Sequence, residues 1–317
     1  MRGRHTLVYH AGALGDFLTI LPVLRAWRRL DTGGRSTLLG RPAFGELARE
    51  SGLIDELWDV EGRDAAPLFG DRPLLPAITG RLRGFTAALA FAAEGSPLVA
   101  HLHAAGIPWV LHQPPFPAGR LHAIDYHLSL LPGPVPPDSE RPVLRPARGM
   151  SPLLPKPDRT VLLHAGSGSP RKNWPFHRFL ALADLLKREG LDTVWLHGPA
   201  EAERPYPPGD PVLRGVALPV LAQLLAACRL YVGNDSGISH LAAACGCPAV
   251  VLFGPSDPLV WAPRGRAVTI LAGSAPCAPC HPRAAADPAG CRQQCLAGIT
   301  VAEVCRSCRH RLAAAPS

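Results

Sequence analysis

Short apolar runs alternate along the chain with amphipathic segments, and most runs end in glycine or polar residues. The apolar runs predict strands at residues 6–10, 160–163, 193–196, 230–232 and 249–253. A spacing of three and four residues between apolar positions predicts helices at residues 176–188, 219–227 and 301–314. A regular alternation of strands and helices is typical of an α/β fold with parallel sheets.

The pattern divides into two halves of similar size, as expected for a chain of 317 residues. Prolines interrupt the periodicity near the middle of the chain, so we take residues 147–158 as an interdomain linker. The expected parts are a Rossmann-like domain at residues 1–146, a second one at residues 159–298, and a C-terminal helical segment at residues 299–317.

A helix start that could bind a ligand follows the strand at residues 230–232. The polar residues 234–236 favour a helix amino terminus, and Gly246 stands where a left-handed residue would end that helix. The N–H groups around Ser236 and Gly237 would therefore lie at the carboxyl end of a strand, where open α/β sheets bind anions. A well-capped core helix without a ligand is the alternative.

A second polar loop follows the strand at residues 160–163. Its small residues Ser167, Gly168 and Ser169 offer hydroxyl and backbone donors to a phosphate, and Arg171 and Lys172 come directly after them. Lysine is rare in this arginine-rich chain, occurring only at positions 156, 172 and 187, which makes Lys172 the sharper candidate. An ordinary turn and a solvated surface lysine are the alternatives.

Three blocks of the sequence resemble motifs of glycosyltransferase family 9, the heptosyltransferases of lipopolysaccharide core assembly. They are residues 11–16 (AGALGD), residues 164–175 (HAGSGSPRKNWP) and residues 233–258, which include GNDSG and LFGPSDP. The blocks follow the family's order, although residues 60–150 match only in general character and Tyr9 and His10 stand where the family often has a basic residue.

The resemblance implies a GT-B type fold, with two doubly wound Rossmann-like domains facing a cleft. The domain at residues 1–146 would bind the acceptor, and the domain at residues 159–298 would bind a nucleotide-sugar donor. The segment at residues 299–317 would pack back on the domain junction.

The resemblance also implies roles for single residues. Lys172 would bind the donor phosphates and Asp235 the hydroxyls of the donor sugar, with a simple helix cap as the alternative for Asp235. From their positions, His240 is a candidate for the sugar or phosphate and Glu201 for the nucleotide ribose. Asp16 would be the general base, with a simple helix N-cap as the alternative. The alternative for His240, expected on the face opposite the apolar stripe of its helix, is a structural histidine.

The chain contains no Asp-x-Asp pair of the kind that holds a divalent ion in metal-dependent transferases. We therefore expect a metal-independent transfer without a catalytic cofactor, and the single base Asp16 favours inversion. The resemblance implies ADP-heptose as the donor and a lipopolysaccharide core or lipid-linked saccharide as the acceptor. Arg171, Lys172, the loop at residues 167–169 and the helix start at Ser236 and Gly237 would stabilise the diphosphate. The alternative is a protein of the same fold that binds or epimerises a nucleotide sugar without transfer.

Six of the nine cysteines lie between positions 277 and 308, in pairs separated by two or three residues. Such spacing allows four thiolates to hold a structural zinc ion. The first four, Cys277, Cys280, Cys291 and Cys295, resemble a cysteine-rich tail in parts of the family and are the expected set. Loose thiols, or disulfides in an oxidising compartment, are the alternatives.

The net charge is +8, with arginine far more common than lysine. No aromatic-basic stripe, helix-turn-helix pattern or zinc-finger spacing accompanies this charge, so nucleic acid is not an expected partner. No apolar stretch reaches the roughly 20 residues of a bilayer span, and Gly15 and Asp16 interrupt any signal-peptide core. We expect a cytoplasmic protein that touches the inner membrane from its cytoplasmic face.

Overall fold

A computed structural model describes residues 4–136, 138–147, 151–198, 201, 203–280 and 293–314. The chain divides into two compact units, Met1–Arg145 and Pro146–Ser317. The division falls one residue before the boundary expected from the proline-rich stretch. Each unit contains a parallel sheet with helices in its connections, so the α/β fold class is confirmed.

The N-terminal unit has a five-stranded sheet in the order β3-β2-β1-β4-β5. Its strands are β1 (His5–His10), β2 (Arg35–Gly40), β3 (Glu56–Asp59), β4 (Ala87–Phe91) and β5 (Trp109–Gln113). Its helices are α1 (Leu14–Leu30), α2 (Pro42–Glu50), α3 (Pro76–Leu82), α4 (Pro97–Ala104) and α5 (Ala123–Leu128), with a 3-10 helix at Ala66–Phe69. The strand order reverses at β1 and β4, and open α/β sheets bind ligands at such a switch point.

The C-terminal unit has a six-stranded sheet in the order β11-β10-β9-β6-β7-β8. Its strands are β6 (Thr160–His164), β7 (Asp192–His197), β8 (Val212–Arg214), β9 (Leu230–Asn234), β10 (Ala249–Phe253) and β11 (Val268–Ala272). Its helices are α6 (Phe176–Arg188), α7 (Leu218–Ala227), α8 (Gly237–Ala244), α9 (Pro258–Trp261), α10 (Gln294–Gly298) and α11 (Val301–Ala314), with 3-10 helices at Pro157–Arg159 and Pro170–Lys172. The switch point of this sheet lies between β6 and β9.

Helix α11 closes the core of the C-terminal unit. Val304, Cys305 and Cys308 are buried in the same apolar cluster as Trp174 and Phe179. This helix has the bounds predicted from its periodicity. Its buried face contributes to the C-terminal unit itself, and the expected packing across the domain junction stays a prediction.

Helix α1 packs on its own sheet through a buried apolar face that includes Phe17, Ile20, Leu21, Leu24 and Trp27. In the part of the chain that the structure describes, no helix is both long enough and apolar enough to cross a bilayer.

Candidate functional site

The carboxyl ends of β6 and β9 lie side by side at the switch point of the C-terminal sheet. The two strands pair in parallel, with His164 opposite Gly233 at their ends. The loop of residues 165–169 follows β6, and residues 235 and 236 lead from β9 into α8. The two loops that the sequence indicated as phosphate-binding therefore meet at one edge of one sheet.

Asn234 joins these two loops. Its Nδ2 donates to the carbonyls of Ala165 at 3.0 Å and Gly166 at 3.3 Å, and its Oδ1 accepts the backbone N–H of Trp174 at 2.9 Å. Because Asn234 is fully buried, these bonds satisfy groups that water does not reach. The sequence indicated Asn234 only as part of a helix start, since a single sequence does not show which strand lies beside β9.

Ser236 is the N-cap of α8. Its Oγ accepts the backbone N–H of Ser239 at 3.3 Å and so satisfies one of the N–H groups that a helix start leaves without an intrahelical partner. The other end of the helix is as predicted, because Gly246 has a φ of +79° just after the C-cap. The N–H groups and the positive dipole end at Ser236 and Gly237 favour an anion at this edge of the sheet.

Lys172 and Asp235 form an ion pair beside this helix start. The Nζ of Lys172 lies 2.7 Å from the Oδ2 of Asp235, and the two side chains are 30% and 7% exposed. The resemblance assigned the ammonium to the phosphates and the carboxylate to the sugar, and the structure brings the two together. An ammonium has three donors, so the pair with Asp235 is compatible with a further bond to a phosphate.

The loop at residues 167–169 is held by its own side chains. Ser167 Oγ accepts the backbone N–H of Ser169 at 3.2 Å, and it lies 2.6 Å from the carbonyl of Ser169 and 2.7 Å from Asn173 Oδ1. The sequence predicted that the donors of this loop would be open to a phosphate, whereas the Ser167 hydroxyl and the Ser169 N–H bond within the loop, because serine hydroxyls readily bond to nearby backbone. Arg171 lies in the following 3-10 turn, and Gly168 has open space at the position of a Cβ. The role of this loop and of Arg171 in phosphate binding stays a prediction.

Glu201 is turned toward the interior of the unit. Its Oε1 lies 2.7 Å from His164 Nε2 and accepts the backbone N–H of Gly198 at 2.9 Å. Burial acts to raise the pKa of Glu201, but the hydrogen bond and the charge of His164 outweigh it and hold the pKa below its usual value. A Cβ on Gly166 would overlap the Glu201 carboxyl group, so the carboxylate occupies space that only glycine leaves open. The assignment of Glu201 to the ribose stays a prediction.

His240 is more deeply buried than its expected position suggests. It is 5% exposed, and its neighbours from Leu241 to Ala244 are buried as well. Helix α8 is short and contacts α7, β9 and β10, so little of its circumference faces solvent. The face opposite the apolar stripe is therefore not exposed to solvent at His240, and the role of this residue in donor binding stays a prediction.

Asp16 lies at the switch point of the N-terminal sheet, in the first turn of α1. It is the third residue of the helix, whereas the N-cap is Ala13, whose N–H is accepted by Asp16 Oδ2 at 3.3 Å. This replaces the N-cap alternative, because Asp16 supplies the acidic half of a capping box. A Cβ on Gly12 would lie 3.0 Å from His10 Cε1 and 3.2 Å from Asp16 Oδ2, so Gly12 lets the imidazole and the carboxylate approach a common point.

Two buried histidines lie close to this turn. His10 ends β1 and is 2% exposed, and His127 of α5 is 1% exposed. Both rings contact Phe91, with centroid distances of 6.2 and 5.2 Å. Burial lowers the pKa of His10 to about 3, with His127 and Arg41 adding to the effect, and burial lowers the pKa of His127 to about 4. Both imidazoles are therefore neutral at physiological pH.

The cysteines of the expected zinc set have different surroundings. Cys277 is exposed, Cys280 is half-buried, Cys295 is buried in the core of the C-terminal unit, and Cys291 lies outside the described residues. Among the residues that the structure describes, no three His, Cys, Asp or Glu side chains group together as metal ligands would. The described part of the set does not form a metal centre, and the full set stays a prediction.

The fold and the site together define a two-unit α/β protein with polar loops at a sheet switch point, the place where open α/β sheets bind ligands. Residues 147–288 match the model of glycosyltransferase family 9 (heptosyltransferase). The resemblance read from the motifs is thereby confirmed, and the matched residues lie in the C-terminal unit.

Individual relatives agree with this assignment. The lipopolysaccharide heptosyltransferase 1 of Pseudomonas aeruginosa is 33% identical over 141 residues, which cover 39% of this chain and 39% of that protein. The chain thus matches about two fifths of the length of this curated relative. Two solved structures share the fold along both chains. The family 9 glycosyltransferase of Veillonella parvula has a TM-score of 0.74 and 19% identity, over 99% of this chain and 98% of that one. The E. coli ADP-heptose lps heptosyltransferase II has a TM-score of 0.72 and 18% identity, over 99% of each chain.

Proposed function

We propose that the protein is an inverting glycosyltransferase that moves a heptose from ADP-heptose to a lipopolysaccharide core or lipid-linked saccharide. The observation that carries the proposal is the Lys172–Asp235 pair beside the amino terminus of α8. The pair lies at the switch point of a sheet within the residues that match the glycosyltransferase family 9 model. The donor is chosen because relatives of this chain are named heptosyltransferases, and the name of one solved structure of the same fold includes ADP-heptose.

Stabilisation of the leaving diphosphate falls to the C-terminal unit. As the bond between the anomeric carbon and the phosphate oxygen breaks, negative charge grows on that oxygen. The ammonium of Lys172, the hydroxyl of Ser236 and the N–H groups at the start of α8 are donors suited to this charge. Each such donor in a closed site contributes about 2.7–4 kcal/mol of barrier reduction. This set requires no divalent ion, in keeping with a sequence that has no Asp-x-Asp pair.

Activation of the acceptor falls to Asp16 of the N-terminal unit. The acceptor hydroxyl oxygen forms the new bond to the anomeric carbon, its proton passes to the Asp16 carboxylate, and the diphosphate departs from the opposite face of the sugar. One base and one displacement give inversion at that carbon. A positioned base contributes roughly 10²–10⁴-fold to the rate.

A donor screen with an acceptor control tests the proposal. The purified protein is incubated with ADP-, UDP- and GDP-sugars, each with and without a lipid A core acceptor, and nucleotide release and glycosylated product are measured by mass spectrometry. We expect ADP release with ADP-heptose only when the acceptor is present. Tight binding of a nucleotide sugar without acceptor-dependent turnover would contradict transfer, and an altered sugar recovered without transfer would indicate epimerisation.

The setting of the reaction is part of the same proposal. An acceptor carried on lipid places the enzyme at the cytoplasmic face of the inner membrane, and a net charge of +8 favours an anionic surface. Binding to vesicles that contain anionic lipid, and its loss at high salt, are the expected results. Equal binding to neutral and anionic vesicles would contradict an electrostatic contact.

A structural zinc ion on Cys277, Cys280, Cys291 and Cys295 is the remaining element of the proposal. The thiolates would stabilise the C-terminal segment without touching the donor. Metal analysis of the purified chain tests the idea, and roughly one equivalent of zinc is expected for a single site with four cysteine ligands. Metal content well below half an equivalent would refute it.

A further inference from the structure

A single side chain joins the two ends of the loop that carries Lys172. The loop begins after β6 and ends at Trp174, shortly before α6. At its start, the Nδ2 of Asn234 donates to the carbonyls of Ala165 at 3.0 Å and Gly166 at 3.3 Å. At its end, the Oδ1 of Asn234 accepts the backbone N–H of Trp174 at 2.9 Å. Both ends of the loop are therefore fixed to the last residue of β9.

The chemistry of these three bonds requires an amide side chain. Two carbonyl oxygens need two hydrogens and the N–H needs an acceptor, and one orientation of an asparagine amide supplies this full set. An aspartate carboxylate has no hydrogen to donate and would lie against the two carbonyls instead. Because Asn234 is fully buried, the partners of a lost bond stay unsatisfied unless water enters the unit.

The carboxylate that meets Lys172 is held by a different part of the fold. The backbone N–H of Asp235 donates to the carbonyl of Leu252 in β10 at 2.9 Å. Strand β9, which precedes Asp235, also pairs with β10 along most of its length. The position of Asp235 therefore depends on the sheet, whereas the position of Lys172 depends on a loop.

The bond to Trp174 fixes the part of the loop from which the ammonium extends. Lys172 ends the 3-10 turn that begins at Pro170, and its backbone N–H donates to the carbonyl of Ser169 at 3.0 Å. The indole N–H of Trp174 is anchored elsewhere, to the carbonyl of Ile299 at 2.9 Å, so that bond does not link the loop to β9. The bond from the Trp174 backbone to Asn234 does, and the next residue of the chain after Asn234 bears the carboxylate that Lys172 meets.

We propose that Asn234 is a positioning residue for the donor diphosphate, because it fixes the Lys172 ammonium relative to Asp235 and the start of α8 before the donor binds. The phosphate site is thus preformed, and binding of the donor does not include the cost of ordering the loop. The inference rests on the proposed function, because it takes Lys172 to bind the diphosphate of a nucleotide sugar.

Hydrogen exchange of single amides, measured by NMR, tests the preformed site in the unmodified protein. We expect the Trp174 N–H to be protected without ligand and to gain no more protection from ADP than the N–H of Leu162, a fully buried residue in the middle of β6. An unprotected Trp174 N–H in the free protein would overturn the inference, and so would a gain on ADP binding confined to this amide. The measurement needs no substitution and therefore decides the question even where a variant does not fold.

A double-mutant cycle without ligand tests whether Asn234 acts on Lys172. Free energies of unfolding are measured for the unmodified protein, Asn234→Ala, Lys172→Met and the double variant. The loss caused by Lys172→Met should be smaller in the Asn234→Ala background, because the ammonium is then no longer held beside Asp235. Additive losses would contradict the positioning of Lys172 by Asn234.

Binding and kinetics test the role in donor recognition. Asn234→Ala should raise the dissociation constant of ADP, measured by calorimetry, about tenfold in the unmodified background and less than about twofold in the Lys172→Met background. The KM for ADP-heptose should rise in parallel, while the KM for the acceptor, which is assigned to the N-terminal unit, should stay within about twofold. Equal effects on ADP binding in the two backgrounds, or an equal rise of both KM values, would contradict positioning.

Thr160→Val is the matched control for a merely structural loss. Thr160 is 2% exposed at the amino end of β6, and its Oγ1 donates to the carbonyl of Lys156 at 2.6 Å. Its substitution removes a buried hydrogen bond from the end of β6 opposite the loop, so it should lower stability but leave ADP binding unchanged. A fall in ADP affinity as large as that of Asn234→Ala would show a general loss of structure and refute the proposal.

Failure of the two proposals can be told apart. ADP binding as tight in Lys172→Met as in the unmodified protein would refute the role of Lys172 in the proposed function. The ligand-free cycle does not depend on that role. Coupling in the cycle would support the positioning of Lys172 by Asn234, and additivity would refute it.

Discussion

Acid should destabilise the N-terminal unit through His10 and His127. Both side chains are almost fully buried, and their pKa values are lowered to about 3 and about 4. An unfolded histidine has a pKa of about 6.5, so the unfolded chain binds more protons than the folded one at any pH between the two values. The stability contributed by the neutral rings is therefore complete above about pH 6.5 and is lost as the pH falls toward the folded values.

The size of the effect at pH 5 follows from the unfolded pKa alone, because both folded values lie below 5. Protonation of one unfolded histidine at that pH lowers the free energy of unfolding by about 2 kcal/mol. The two histidines together give about 4 kcal/mol, a large share of the 5–15 kcal/mol that is typical of a native domain. The N-terminal unit should therefore open measurably between pH 7 and pH 5.

Hydrogen exchange with mass spectrometry measures this for each unit separately. The free energy of opening is obtained for peptides from β1 and α5 at both pH values, after correction for the intrinsic exchange rate. The double variant His10→Gln/His127→Gln should lose far less stability on acidification than the unmodified protein. His103→Gln, at an exposed position of α4, is the control and should behave like the unmodified protein. Equal losses in the double variant and the unmodified protein would refute the reasoning.

The remaining predictions concern the two candidate sites. Asp16→Asn should reduce turnover by roughly 10²–10⁴-fold with little change in stability, because an asparagine oxygen can still accept the N–H that Asp16 accepts; near-normal turnover would remove Asp16 from the mechanism. Lys172→Met should weaken transition-state stabilisation by about 2.7–4 kcal/mol, and it leaves the carboxylate of Asp235 buried without its cation. Adding Asp235→Asn should therefore recover stability, measured by denaturation, but not turnover, measured by steady-state kinetics. Gly166→Ala should lower the free energy of unfolding by about 1–3 kcal/mol, because its methyl group overlaps the carboxylate of Glu201. Adding Glu201→Ala should restore part of this stability. An unchanged free energy of unfolding in Gly166→Ala would show that the carboxylate moves freely.

Much of the C-terminal unit could be predicted from its sequence. Strand β10 and helices α6 and α11 have the predicted bounds, because their apolar periodicity is uninterrupted. Strand β9 extends two residues further than predicted, since Gly233 and Asn234 continue to pair with β10 despite being poor strand formers. The order of the strands could not be predicted, because the pairing of β6 with β9 joins segments about seventy residues apart.

The identity of the candidate residues was more predictable than their contacts. The motifs indicated Asp16, Lys172 and Asp235, but the ion pair of the last two depends on a loop and a strand end that only the fold brings together. The same holds for Glu201, whose expected role in binding the ribose was inferred without knowledge of the histidine beside it. A side chain with several possible partners is placed by the neighbours that folding supplies, and one sequence does not show those neighbours.

The ion pair of Lys172 and Asp235 has a consequence for how the donor is recognised. A cation paired with a buried carboxylate contributes less net attraction to a phosphate than an unpaired one, because the two charges largely cancel at a distance. The carboxylate, however, is then available only at the position that the ammonium fixes, 2.7 Å from it. A ligand gains the full interaction only when it offers a phosphate to the ammonium and a hydroxyl to the carboxylate at the same time. Free phosphate meets one of these conditions, whereas a nucleotide sugar meets both, so under the proposed function the pair should favour the intact donor over free phosphate.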